Sequence, residues 1–176
     1  MPPPRPLLLL DVDGPLNPYH ADPDSRPPGY RPWRAEPHWA SGPVEVWLNR
    51  AHGERLRALP FDLVWATTWQ DCANRWIGPA LGLPPLPFVA LPGPAVWRPD
   101  DTSPKTWPLV AWAAGRPFAW VDDDIGEADR AYVAARHAGP ALLRRVHPGR
   151  GLVEADFALL SAWAAGLCGG GGGPGG

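Results

Sequence analysis

Along the 176-residue chain, short uninterrupted apolar runs alternate with longer stretches that carry a helical repeat. Leu7, Leu8, Leu9 and Leu10 form the first run, which stops abruptly at Asp11-Val12-Asp13-Gly14. A continuous apolar run of this kind reads as a strand buried on both faces, as parallel strands are. Residues 61–66, 88–91, 118–121 and 141–146 read as four more strands. Between them, helices are expected at 51–59, closed by Pro60, and at 73–81, with Trp76, Ile77 and Leu81 on one face and Gly82 and Pro84 as the stop. A third helix opens at Ser103-Pro104-Lys105-Thr106 and runs to Gly115, with Ser103 or Thr106 as its cap and Pro108 in its first turn, where a missing N–H is tolerated. Two further helices are expected at 127–138, stopped by Gly139-Pro140, and at 152–167, with Phe157, Leu160, Trp163 and Ala164 on the apolar side. Residues 19–32 are polar and proline-rich, and Val44, Val46 and Leu48 then alternate with Glu45, Trp47 and Asn49. That period of two marks the second strand of a hairpin whose first strand lies near 30–35.

Alternation of strand and helix predicts an α/β domain over residues 1–168. The expectation is a three-layer sandwich around a mostly parallel, five-stranded Rossmann-like sheet. The hairpin, within about residues 15–50, would form a small flap over the carboxyl end of the first strand. The length suits one domain with a full core. The 26 prolines and 20 glycines mostly punctuate apolar segments, which points to many short connections, while the glycine tail 169–176 is expected to be disordered. A net charge of −2 gives no global basic field for nucleic acid. Cys72 and Cys168 have neither a CxxC pattern nor a histidine at metal spacing, so neither a disulfide framework nor a zinc site is expected. The first apolar run is too short for a signal peptide or a membrane span, so a soluble, cytoplasmic protein with no membrane partner is the expectation.

Three of these apolar runs end in polar groups: Asp11 and Asp13, Thr67 and Thr68, Asp122 and Asp123. Lys105 stands at a helix start in the same layer. In a parallel sheet all strand carboxyl ends open on one edge, so residues far apart in sequence converge there. Carboxylates crowded together repel unless a cation sits among them, and a set of oxygen ligands favours a hard one, magnesium by default. A magnesium ion and a lysine ammonium both offset phosphoryl charge, a threonine hydroxyl donates to a phosphoryl oxygen, one aspartate can attack phosphorus, and the other can carry the proton.

The order Asp-Val-Asp-Gly, strand-terminal Thr, Lys and strand-terminal Asp-Asp resembles the four motifs of the haloacid dehalogenase-like (HAD) superfamily. More narrowly, Asp11 to Pro18, Ala66-Thr67-Thr68-Trp69 with Ala73-Asn74, the stretch from Ile77 to Pro84, Lys105-Thr106 and Trp120-Val121-Asp122-Asp123 look like HAD domains associated with bacterial RNA-repair systems. The resemblance covers roughly residues 7–165. It implies a magnesium-dependent phosphatase acting through an aspartyl-phosphate. Asp11 would be nucleophile and metal ligand, and Asp13 the general acid/base with its backbone carbonyl on the metal. Thr67, with Thr68 a close rival, would contact the phosphoryl group, and Lys105 would neutralise it. Asp122 would be the other metal ligand, supported or replaced by Asp123. Pro15 directly after Gly14 departs from the pattern and restricts that turn. A receiver domain uses similar residues in a different order, with lysine last, and fits less well.

Short inserts leave no room for a folded cap, so the site should be open to a large substrate, with a terminal phosphate of RNA or DNA as the expected one. Trp33, Trp39 and Trp97 lie in the flap or loops beside Arg26, Arg31, Arg34 and Arg98, an interleaving that suits single-stranded nucleic acid. The plainer account is that these tryptophans pack the hairpin onto the body and the arginines are surface charges. The competing function is a non-catalytic nucleic-acid-binding or accessory module. His20 and His38 in the flap could touch substrate, although lone loop histidines are mostly solvated; Asn74 and Arg75 could line the site, with a helix start the plainer account; and Arg144, Arg145 and Arg150 are read as solvent-facing.

Overall fold

The computed structural model describes residues 4–93 and 100–169. Trp97, Arg98 and nearly all of the glycine tail lie outside them. Strand β1 (Leu7–Leu10) is central. A hairpin of β2 (Arg31–Ala35) and β3 (Val44–Leu48) follows, then helix α1 (Arg50–Ala58) and strand β4 (Asp62–Trp65). A wide helical turn, Ala73–Ile77, runs into the short helix α2 (Gly78–Leu81). Helix α3 (Thr106–Ala113), strand β5 (Phe118–Asp122), helix α4 (Glu127–Arg136), strand β6 (Ala141–Arg145) and helix α5 (Glu154–Gly169) complete the order.

Among the described residues, the main sheet has four strands in the order β4-β1-β5-β6, all parallel, and the antiparallel β2–β3 hairpin stands apart from it. Side chains alternate along β1 as the pleat requires. Leu8, Leu10 and Val12 enter one core with residues of α1, α2, α5 and the hairpin, while Leu7 and Leu9 enter the other with Leu109 and Ala113 of α3 and Val133 of α4. Helices therefore cover both faces, and the arrangement is a three-layer α/β domain compatible with a Rossmann-like fold. From β1 the chain first adds β4 on one side and then crosses to β5 on the other. The switch point lies between β1 and β5, and open α/β sheets bind their ligands at that crevice.

Two expectations are corrected. The strand expected at 88–91 is reduced to one bridge, Trp65 to Phe88, framed by Trp65 N–H to the Pro87 carbonyl and Val89 N–H to the Trp65 carbonyl, each 2.9 Å. Neighbouring β4 ends at Trp65, Pro87 has no N–H, and the Leu86 N–H is taken by Asn74 Oδ1. The helix expected at 73–81 splits because Pro79 cannot donate to the turn before it, and the chain widens into a π-type turn instead. Asn74, which the sequence left as a helix start or a site residue, is a clamp: it accepts from Trp65 Nε1 and Leu86 N and donates to the Leu86 carbonyl at 2.7–2.9 Å. Among the described residues, no helix is long and apolar enough to cross a membrane.

Helix α1 packs against α2 through Gly53, where an added Cβ would lie 1.8 Å from the Leu81 carbonyl oxygen. Alanine in an exposed helix interior gains about 1 kcal/mol over glycine, but here overpacking of about 1–3 kcal/mol acts against it. Gly53→Ala should therefore lower the melting temperature, by about 2–4 °C per kcal/mol of net loss for a chain of this size. A calorimetric scan that finds the variant equal or more stable contradicts this packing.

Candidate active site

Asp11 follows the last residue of β1 and is buried, and Asp122 closes β5 and is fully buried. The Lys105 ammonium lies between them, 2.7 Å from Asp11 Oδ2 and 2.7 Å from Asp122 Oδ2. The other Asp11 oxygen accepts the Val12 N–H at 2.8 Å, and the nearby Thr67 side chain favours the charged form of this carboxylate. Trp120 Nε1 donates to Asp122 Oδ2 at 3.1 Å, and the Asp124 N–H to Asp122 Oδ1 at 2.9 Å. Both carboxylates are thus fixed in orientation by neutral donors as well as by the lysine.

Burial pushes the Asp11 carboxyl up to about 7, with Asp122 adding to the rise and Lys105 pulling against it. Burial alone would lower the Lys105 ammonium, but Asp11 and Asp122 together raise it, so it remains charged. Oxygens of Asp11, Asp122 and Asp123 lie within 4.8 Å of one another, a grouping able to hold a metal ion. Three carboxylates against one ammonium leave two negative charges without a counter-charge, and an all-oxygen donor set suits a hard divalent cation. The residues present therefore fit such an ion. Asp13 contributes no carboxylate oxygen to this cluster.

Gly14 makes the third carboxylate's approach achievable. Its φ is +93°, and a Cβ there would lie 2.6 Å from Asp123 Oδ1. The glycine thus absorbs both the turn imposed by Pro15 and the closeness of Asp123. Tyr19 donates its hydroxyl to Asp123 Oδ2 at 2.8 Å, and burial together with that carboxylate pushes the phenol up to about 12, keeping it a donor.

Asp13 points to a different set of partners. Asn17 Nδ2 donates to Asp13 Oδ1 and Trp69 Nε1 to Asp13 Oδ2, each at 2.8 Å. Asn17 Oδ1 in turn accepts the Trp47 N–H of the flap at 3.0 Å. Sequence reading missed Asn17 and Trp69, although both stand inside motifs it had singled out.

Between the rivals at the end of β4, Thr67 is fully buried and reaches Asp11, whereas Thr68 is exposed and lines a neighbouring groove. Lys105 is aimed by a residue not foreseen. Buried Asp129 of α4 accepts from the Ser103 N–H and the Thr106 hydroxyl through Oδ1 and from the Gly126 N–H through Oδ2. The α3 start is therefore pinned to α4 as well as turned by Ser103, whose Oγ accepts the Lys105 N–H at 3.4 Å, while Lys105 itself occupies the cap position without a side-chain cap. Serine and threonine next to a lysine signal a cap equally well, which is why the longer tie was not legible.

Tyr19 and Trp39 beside the site are exposed, as is Trp33 on β2, and Trp39 meets Trp69 edge-on at 5.2 Å between ring centroids. The flap arginines are engaged locally: Arg34 pairs with Glu36, Arg31 donates to the Tyr30 carbonyl, and Arg26 lies 3.8 Å over the Trp47 ring. Arg145 and Arg150 are exposed as expected, whereas Arg144 is half-buried. Arg144 Nε pairs with buried Asp156 at 2.6 Å, and Arg145 Nε donates to the Asp123 carbonyl at 2.9 Å. No protein-family model, curated protein or solved structure matches the chain.

The raised Asp11 carboxyl has a stability consequence. Its ordinary value is 3.8 and its folded value about 7, so the folded chain holds the proton more tightly. That contribution is complete below the ordinary value and is lost as pH rises through about 7. His52, buried and lowered to about 4, acts with the opposite sign but is shared by wild type and variant. With divalent cations removed, the melting temperature of wild type relative to Asp11→Asn should fall steadily from pH 5 to pH 8. Parallel curves across that range would contradict the burial of this charge.

Proposed function

We propose that the chain is a magnesium-dependent phosphatase of the HAD type, acting through an aspartyl-phosphate. The observation that carries the reading is the buried Asp11–Lys105–Asp122 bridge at the sheet's switch point, with Asp123 beside it and Asp13 held apart by its own donors. Asp11, Asp122 and Asp123 would hold the metal, together with the Asp13 carbonyl that the resemblance implies. A bound magnesium ion would offset the charge of the phosphoryl group and of the surrounding carboxylates.

The residues divide the chemistry. An Asp11 carboxylate oxygen attacks phosphorus, the bond from phosphorus to the ester oxygen breaks, and the Asp13 carboxyl gives its proton to the departing oxygen. Asp13, now ionised, takes a proton from water as that water attacks phosphorus. The bond to Asp11 breaks, inorganic phosphate leaves, and both aspartates return to their starting states. Lys105 and the Thr67 hydroxyl are donors in reach of the phosphoryl oxygens, preorganised by Asp129 and by the turn after β4. Two donors on Asp13, from Asn17 and Trp69, hold its carboxyl in one orientation through both proton transfers.

A phosphomonoester on a large substrate suits the uncapped mouth. A groove of about 510 Å³ lined by His38, Trp39, Thr68, Gln70 and Leu91 runs beside the site. That volume is in the range of small-molecule sites. Exposed aromatic rings favour a nucleic-acid end through stacking, whereas the locally engaged arginines give it little electrostatic support.

Phosphate release should require magnesium and vanish in Asp11→Asn. Compared at equal concentration, RNA carrying a 3′- or 5′-terminal phosphate should exceed a phosphopeptide and a sugar phosphate. Magnesium-dependent turnover by Asp11→Asn would contradict the Asp11 mechanism, and no release from any substrate alongside salt-dependent RNA binding would favour an accessory binding module instead. Trp69→Phe removes one of the two hydrogen bonds that orient the Asp13 carboxyl, worth about 0.5–1.5 kcal/mol, and should lower kcat by up to about tenfold with little change in KM. An unchanged kcat would contradict the assignment of Trp69 as a positioning residue.

A further inference from the structure

The flap's turn, residues 36–43, carries a second set of ligand-type side chains to the body. His38 Nδ1 lies 3.2 Å from the sulfur of buried Cys72, and donor atoms of His38, Asp71 and Cys72 all fall within 4.8 Å of one another. The cluster shares no residue with the one formed by Asp11, Asp122 and Asp123. Its chemistry differs as well. An imidazole nitrogen, a thiol sulfur and a carboxylate oxygen are the ligand types of a zinc-class ion, whereas magnesium takes oxygen. Tetrahedral zinc, with bonds of about 2.3 Å to sulfur and about 2.0–2.1 Å to nitrogen, holds those two atoms about 3.5 Å apart. The observed 3.2 Å separation therefore has to open by only a few tenths of an ångström. His38 is exposed and also borders the groove beside the active site, which gives an ion a path in from solvent.

We propose that His38, Asp71 and Cys72 form a site for a zinc-class divalent cation that staples the flap to the body. Three protein ligands leave one position for water or a group of the substrate. On binding, the Cys72 thiol gives its proton to solvent and the sulfur coordinates as thiolate. The staple sits where it matters for the flap: His38 adjoins Trp39, Trp39 packs on Trp69, and Trp69 donates to Asp13. Sequence spacing hid the site, because its histidine comes from the hairpin, 34 residues before the cysteine.

The test is cobalt and zinc titration of the metal-free full chain carrying Cys168→Ser, so that Cys72 is the sole thiol. One equivalent of cobalt should give the sulfur-to-cobalt charge-transfer band and the intense visible bands of a tetrahedral thiolate site, and zinc should displace it. His38→Ala, a change at an exposed position, should abolish the band and weaken zinc binding at least tenfold, and Asp71→Asn should weaken it in the same direction. Cys72→Ser should remove the band outright, with circular dichroism confirming the fold. Asp122→Asn should leave the band intact. No charge-transfer band at stoichiometric cobalt, a band that survives His38→Ala, or binding lost only in Asp122→Asn would overturn the proposal. The first outcome would leave a plain thiol–imidazole hydrogen bond, and the last would put the ion among the carboxylates.

Discussion

One buried ammonium holds the centre of this molecule together. Lys105 bridges Asp11 and Asp122, the residues that end two adjacent parallel strands, and burial makes that bridge obligatory. Removing the lysine would leave two buried carboxylates facing each other, the arrangement that costs most in a low-dielectric interior. Even with the lysine, Asp123 keeps the local charge negative, and the Asp11 carboxyl rises toward neutrality. The site is therefore built short of positive charge, which is the condition under which a divalent cation is accommodated. The sheet supplies the convergence: β1 and β5 flank the switch point, and their ends cannot avoid each other.

Around this bridge, the supporting contacts run through elements that are distant in sequence. Asp129 on α4 ties down the segment that carries Lys105, so the lysine's reach depends on a helix beyond the next strand. The flap serves the other aspartate. Its Trp47 N–H orients Asn17, and Asn17 and Trp69 fix Asp13. Tyr19 covers Asp123. A flap displacement would thus disturb Asp13 before it disturbed the Asp11–Lys105 pair.

The sequence carried the order of elements and the identity of the central residues, because apolar runs ending in Asp, Thr or Asp-Asp reflect strand burial directly. Thr67 and Thr68 could not be separated until burial of one and exposure of the other was seen. The fifth strand was overread, since Phe88, Val89 and Leu91 have the right composition but prolines and the early end of β4 leave almost no ladder to join. Asn17, Trp69, Asp129 and the His38–Cys72 pair were missed for a common reason. Each acts through a contact with a residue on another element, and neither periodicity nor spacing encodes such a contact. Asn74 and Arg144 illustrate the converse, since ordinary surface-type residues became a clamp and a partner of buried Asp156.

The most direct measurement is the chemical identity of the reaction intermediate. Full chain turning over a phosphomonoester in magnesium would be quenched in acid, digested and examined by mass spectrometry. The account predicts an acid-stable, hydroxylamine-labile phosphoryl group on the peptide containing Asp11, on that residue. Turnover that proceeds with no phosphorylated peptide, or with the group on another residue, would contradict it.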